Sequence, residues 1–204
     1  MNQKIILASG SPRRIEMLKE SGLSPIVIPP SVDETLPAGI GKEQAVLFLA
    51  LKKALSVENA LLERGFPSET GGAKGGGNLS RHVIIAADTI VYQDRIIGKP
   101  LDRQDAFDTL ASLRGRSHYV VTGVALIRPE TALRRVFYDI TEVFFRHYSD
   151  EALRAYVDTD EPYDKAGGYA IQGTFGKYID HIDGNLDNVI GFPWEKIQKL
   201  LPAL

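Results

Sequence analysis

The run His82-Val-Ile-Ile-Ala-Ala-Asp-Thr-Ile-Val91 constrains the fold of this chain more than any other segment. It is strongly apolar and dense in β-branched residues, the composition of a strand set into a sheet. One residue interrupts it. An ionised carboxylate at Asp88 is costly inside an apolar strand unless it is paired, hydrogen-bonded or bound to a metal. Asp88 is therefore a candidate general base, or an oxygen ligand for Mg²⁺, with Thr89 beside it to orient it or to bond a ligand. The plainer reading is that the strand surfaces at Asp88 and the carboxylate simply bonds a backbone turn.

Strand and helix signals alternate around this run. Ile5 to Ala8 reads as a short buried strand, and Gly10-Ser11-Pro12 as a turn with Pro12 at the first helical position, where its missing N–H costs nothing. Ile15, Met17 and Leu18 supply an apolar stripe that Gly22 ends. A second strand is expected over Pro25 to Pro29, a polar loop over Ser31 to Thr35, and a long helix over Glu43 to Glu63. Ile96 to Pro100 follows the turn Gln93-Asp94-Arg95 as a hairpin, and Gln104 to Arg114 forms a helix. His118 to Arg128 and Arg135 to Arg146 pair antiparallel across Pro129-Glu130-Thr131. Ser149 caps a helix that runs to Asp158; after a Gly-rich stretch from Ala166 to Gly176 come a strand near Tyr178 to Ile182 and a helix from Pro193 to Leu200. This interspersion predicts an α/β fold built on a mixed sheet.

The chain's 204 residues fit one generous domain or two small lobes sharing a core. A chain of this size buries roughly 70% of its unfolded surface, so neither a disulfide nor a structural metal is required for stability. The segment Phe66 to Ser80 is rich in Gly and Ser and reads as a flexible surface insertion. A helix precedes it and a strand follows, the reverse of the order a phosphate-cradling Gly-rich loop needs.

Composition removes several classes of function. There is no cysteine, which excludes disulfides, thiolate zinc sites and thiol nucleophiles. The four histidines, at 82, 118, 147 and 181, lack ligand spacing. A net charge of −2 gives no global attraction to nucleic acid or anionic membrane, so any polyanion site must be local. No apolar segment approaches the ~18 residues of a membrane span, and the N-terminal apolar run is too short for a secretory signal; the expected location is cytoplasmic. Walker A, Rossmann and Gly-x-Ser-x-Gly patterns are absent.

Three further groups of residues carry chemical potential. Ser9-Gly-Ser11-Pro-Arg13-Arg14 stands at a strand end entering a helix. Two arginines at a helix N-terminus oppose its partial positive charge unless an anion binds there. Phosphate would resolve that conflict, taking N–H groups, the Ser9 and Ser11 hydroxyls and bidentate guanidinium contacts. Otherwise Ser11 is a plain N-cap and the arginines are solvated. Lys53, Lys99 and Lys165 lie on loops or helix ends, and act as a group only if the fold gathers them around Asp88. In Asp164 to Gly173, glycines flank Tyr169 and Gln172, either as a structural turn or as backbone that approaches a ligand, with the Gln172 amide able to donate and accept at once.

Taken in order, these segments resemble the Maf family of nucleoside triphosphate pyrophosphatases. The matching stretches are Leu7 to Arg14, Asp33-Glu34, Leu49 to Ala54, Ala87-Asp-Thr89, Gly98-Lys-Pro100, Gly115 to His118 with Thr122-Gly123, Asp164 to Gly173, and Val189 to Pro193. They cover nearly the whole chain. The resemblance implies one domain whose curved mixed sheet carries a cleft between two lobes, as in the inosine-triphosphate pyrophosphatases. It implies hydrolysis of a nucleoside triphosphate to monophosphate and pyrophosphate with a divalent cation, Mg²⁺ or Mn²⁺. Carried over residue by residue, Asp88 is the general base, and Arg13, Thr89 and Gln172 match the substrate-selecting positions. Ser9, Arg14, Glu34, Lys53 and Lys99 match the triphosphate and metal site, with Glu34 and Asp88 as expected ligands. The stretch Ala166 to Gly173 resembles the branch acting on dTTP and UTP, and a pyrimidine O4 and N3–H would suit the Gln172 amide.

Gly168 and Ala170 exchange small residues relative to the family pattern, a swap expected to have little consequence, and Phe192 stands where Leu is usual. Homodimerisation is a family-level expectation. The competing readings are a 7-methyl-GTP pyrophosphatase, a nucleotide-binding regulator without turnover, and a nucleic-acid-associated protein acting in cell division. Near-neutral charge and the lack of a basic, aromatic-rich stripe oppose direct nucleic-acid binding.

Overall fold

The computed structural model describes residues 4–64 and 79–203. Most of the expected insertion at 66–80 lies outside those residues; only Leu79 and Ser80 fall within, at the start of a short 3₁₀ turn, Leu79–Arg81. The strands are β1 (Lys4–Leu7), β2 (Ile26–Val27), β3 (His82–Tyr92), β4 (Ile96–Ile97), β5 (Ser117–Ile127), β6 (Arg134–Phe145) and β7 (Ile179–Asp183). The helices are α1 (Pro12–Glu20), α2 (Lys42–Arg64), α3 (Arg103–Leu113), α4 (Asp150–Val157), α5 (Leu186–Ile190) and α6 (Trp194–Leu200).

Among the described residues the seven strands join one mixed sheet, ordered β2-β1-β3-β5-β6-β7, with β4 paired to β3. β1 runs parallel to β2 and to β3, and β4 and β7 are antiparallel to β3 and β6. β5 and β6 form the expected antiparallel pair: Phe145 at the end of β6 bonds Arg116 before β5, and Arg128 after β5 bonds Leu133 before β6.

The chain divides into two compact units. The first comprises Met1–Asp88, Gly123–Tyr138 and Trp194–Leu204, and the second Thr89–Thr122 and Asp139–Pro193. In the first, one face of the sheet is covered by α2. Ile84 and Ala86 of β3 pack with Ala50, Ala54, Val57 and Leu61 of α2, a period of two meeting a period near 3.6. Gly123 of β5 is where helix and sheet approach most closely, since a Cβ there would lie 2.3 Å from the Val46 carbonyl oxygen. In the second unit, α3 and α4 pack around an aromatic cluster of Phe145, Tyr148, Tyr156, Tyr169 and Phe175. Ser149 caps α4 as expected, accepting from the Ala152 N–H.

Three local expectations are corrected. Lys53, expected on a loop or helix end, stands in the middle of α2, while α5 and the 3₁₀ turns between Glu161 and Tyr178 are too short to repeat a face and carry no sequence periodicity. Ser11 is the N-cap of α1, but its hydroxyl makes no capping bond. Gly168 is not interchangeable with alanine: its φ is +74°, in the left-handed region, and a Cβ would also crowd Pro100.

Candidate active site

In the first unit, the β3 face that buries Ile84 and Ala86 also carries Asp88, two residues further along the same alternation. The α2 stripe that meets it carries Lys53 between Ala50 and Val57. Sheet and helix periodicity thus deliver a carboxylate and an ammonium to one point. Lys53 Nζ donates to Asp88 Oδ1 at 2.5 Å and lies 2.9 Å from Glu34 Oε1. Asp88 is 6% exposed and Lys53 9%. A pair this deep holds because each charge has its partner. The reading in which Asp88 surfaces onto a backbone turn is therefore set aside.

Glu34 reaches the pair from the loop between β2 and α2, and α2 holds that loop. Lys52 Nζ donates to the Asp33 carbonyl at 2.5 Å and Ser56 Oγ to the Ser31 carbonyl at 3.2 Å, while the Asp33 carboxylate accepts from the Thr35 N–H and hydroxyl. Lys52 and Ser56 were not singled out from the sequence. Their only signal is the i, i+4 spacing that puts Lys52 and Ser56 on one face of α2, which has no meaning until the loop is placed.

The turn from β1 into α1 forms the third side of this cluster. Ser9, 5% exposed, accepts at Oγ from the Ser11 N–H and from Arg14 Nη1, both at 3.2 Å, so its own proton remains free to donate. Arg14 Nη1 also donates to the Ala87 carbonyl at 2.7 Å, tying α1 to the residue before Asp88. Burial holds the Arg14 pKa down to about 10, against the opposing pull of the Asp88 charge. Arg14 stays protonated at neutral pH, in surroundings that favour a further anion. α1 has no acidic residue in its first turn, and Arg13 makes no hydrogen bond to the described residues.

The second unit begins at Thr89. Its hydroxyl bonds the Thr122 hydroxyl at 3.0 Å, and Thr122 Oγ1 also reaches the Asn188 carbonyl. Asn188 Nδ2 in turn donates to the Val120 carbonyl and to Thr141 Oγ1. This buried polar chain fixes Thr89. Asn188 and Thr141 were missed because neither stands in a recognisable pattern. Lys99 is exposed, next to Gly98, whose carbonyl accepts from the Gly167 N–H. Lys165 is engaged locally, donating at 2.5 Å to the Glu161 carbonyl and to Asp164 Oδ1. Gln172 is exposed and its amide makes no hydrogen bond to the described residues.

Ser9, Arg14, Glu34, Lys53 and Asp88 are therefore brought together within one unit, with Ser11 and Arg13 on the adjoining turn. Thr89, Lys99, Lys165 and Gln172 belong to the other. The oxygen donors suit a hard divalent cation. Mg²⁺ commonly takes one or two carboxylates and completes its shell with water and substrate phosphate, and Glu34 and Asp88 converge on a single cationic point. Among the described residues no cluster of three or more His, Cys, Asp or Glu side chains offers an all-protein cage.

Residues 4–204 match the family model described as Maf-like protein. The chain is 38% identical over 203 residues to a protein of Caldicellulosiruptor bescii named dTTP/UTP pyrophosphatase, covering 99% of this chain and 95% of that one. Proteins of the same name from Desulfitobacterium hafniense and Acetivibrio thermocellus are 41% and 39% identical, covering 97% of this chain and 83% and 94% of their own lengths.

Proposed function

We infer, from the premise that this chain belongs to the Maf family, that it hydrolyses dTTP and UTP to the nucleoside monophosphate and pyrophosphate. The observation that carries this reading is the buried Asp88–Lys53 pair, met by the exposed Glu34 and set beside the Ser9–Arg14 turn: two carboxylates and three cations arranged where a phosphate chain and its counter-ion have partners. The near-full-length match to proteins named for that activity supports it, as does the 4–204 span for reading the chain as one catalytic domain. A cytoplasmic location, self-association as a homodimer and the absence of direct nucleic-acid binding complete the proposal. Among the described residues no helix is long and apolar enough to cross a membrane.

In the mechanism we assign, Ser9, Ser11, Arg13, Arg14, Lys53 and Lys99 bind and neutralise the triphosphate. Lys165, carried over as a substrate-binding residue, has its charge offset by Asp164 and a further bond to the Glu161 carbonyl. Glu34 and Asp88 would hold the Mg²⁺ or Mn²⁺ ion, which would supply charge neutralisation to the phosphate oxygens. Lys53 engages Asp88 at Oδ1, leaving Oδ2 without a protein donor among the described residues. Water attacks the α-phosphorus as Oδ2 takes its proton; the bond from that phosphorus to the bridging oxygen breaks, and pyrophosphate leaves with the electron pair. Lys53 and the arginines stabilise the charge on the departing group. Thr89, Arg13 and Gln172 select the substrate.

A panel of canonical nucleoside triphosphates and 7-methyl-GTP, assayed for pyrophosphate release with Mg²⁺ or Mn²⁺, tests the reading. The expected order places dTTP and UTP first. A preference for 7-methyl-GTP contradicts the assignment of the base, and no release from any member contradicts catalysis.

A further inference from the structure

We propose that Glu161, through its grip on the segment that follows Gln172, sets the position of the Gln172 amide and so selects uracil and thymine over guanine. The role rests on the assignment of Gln172 as a reader of the base. Gln172 sits in a tight turn closed by the bond from the Gly173 N–H to the Ala170 carbonyl at 3.0 Å. Immediately after that turn the Glu161 carboxylate takes the chain with both oxygens. Oε1 accepts from the Thr174 N–H at 3.0 Å, and Oε2 accepts from the Thr174 hydroxyl at 2.7 Å. The buried Tyr156 adds its hydroxyl to Oε1 at 3.4 Å. Gly173 lies against the same carboxylate so closely that a Cβ would come within 1.9 Å of Oε1. Any side chain there would push the carboxylate off Thr174. On the other side of the turn the backbone is pinned by Tyr169, whose hydroxyl bonds His118 Nε2 at 2.6 Å in the aromatic core. Lys165 Nζ donates to the Glu161 carbonyl, bracing the clamp itself.

The turn bearing Gln172 is thus held from both ends while the amide is exposed and unbonded. Hydrogen-bonding capacity alone does not distinguish the two base classes. Uracil and thymine offer an O4 acceptor beside an N3–H donor, and guanine offers the same pair at O6 and N1–H. The guanine edge lies farther from the ribose because the imidazole ring intervenes. At this contact the two classes differ in where the amide must stand, and the backbone of the turn sets the point from which the Gln172 side chain reaches. Glu161 is a positioning residue in this scheme and touches no substrate.

The test is kcat and KM for UTP and GTP, measured with the full chain and Mg²⁺ in Glu161→Ala, Thr174→Val, Gln172→Ala and the Glu161→Ala/Gln172→Ala double variant. Loosening the clamp should lower the ratio of kcat/KM for UTP to that for GTP by about tenfold in Glu161→Ala, chiefly through the KM for UTP. Thr174→Val, which removes one of the bonds and preserves shape, should lower the same ratio by about threefold. The double variant should show no further loss of ratio beyond Gln172→Ala, the signature of action through one residue. A ratio kept in Glu161→Ala and Thr174→Val but lost in Gln172→Ala overturns the clamp and leaves the base reader standing. A ratio kept in Gln172→Ala overturns the base reader and this role with it. Equal losses on UTP and GTP mark a purely structural contact and also overturn it. If Glu161→Ala does not fold, Thr174→Val decides.

Discussion

Asp88 shares one ammonium with Glu34, and that sharing separates its part in the fold from its part in the chemistry. Replacing it with Asn keeps the shape and leaves Lys53 a counter-charge at Glu34, so the packing of α2 on β3 should survive. Asn has no basic oxygen to take the proton of the attacking water. Asp88→Asn should reduce kcat for dTTP by about 10²–10⁴-fold, the range for a positioned general base, with an unchanged circular dichroism spectrum. Turnover within a few-fold of the natural chain would remove Asp88 from the mechanism. The arginines divide in the same way. Arg14 is built into the structure through Ser9 and Ala87, whereas Arg13 makes no hydrogen bond to the described residues.

Among the elements, the aromatic packing around β6 and α4 carries a pH dependence of its own. His118 is buried against Phe145 and Tyr169, and burial lowers its pKa from the ordinary 6.5 to about 4. The unfolded chain therefore binds a proton that the folded chain refuses. Stability is intact above about pH 6.5 and falls as the pH drops toward 4, by up to about 3 kcal/mol, while His118→Gln should flatten this slope. Urea unfolding at pH 7 and pH 4.5 measures both. These elements were legible where a single residue carries the signal. Ser149 announces a cap, Gly22 a helix end with φ +76°, and the carboxylate in an apolar run announces Asp88. What stayed hidden is register. Which α2 lysine meets Asp88 depends on how a period near 3.6 is laid across a period of two; the family resemblance picks out Lys53, but spacing alone does not separate it from the adjacent Lys52. The Glu161 clamp was hidden for the same reason: thirteen residues separate it from Thr174, and the turns between have no periodicity.

At the level of the whole molecule, a net charge of −2 offers a polyanionic substrate no general attraction. Recognition must come from the local cluster, which is why its cations are anchored to backbone carbonyls and carboxylates rather than spread over the surface. The segments that match the Maf pattern run from Leu7 at the end of β1 to Pro193 before α6, and they name the site residues as a set without naming the residues that hold them. The proposed reaction is hydrolysis by attack of water at the α-phosphorus. Turning over dTTP in H₂¹⁸O and weighing the products tests this most directly. The expected products are dTMP carrying one ¹⁸O and unlabelled pyrophosphate. Label in the pyrophosphate, or release of orthophosphate and dTDP, would contradict it.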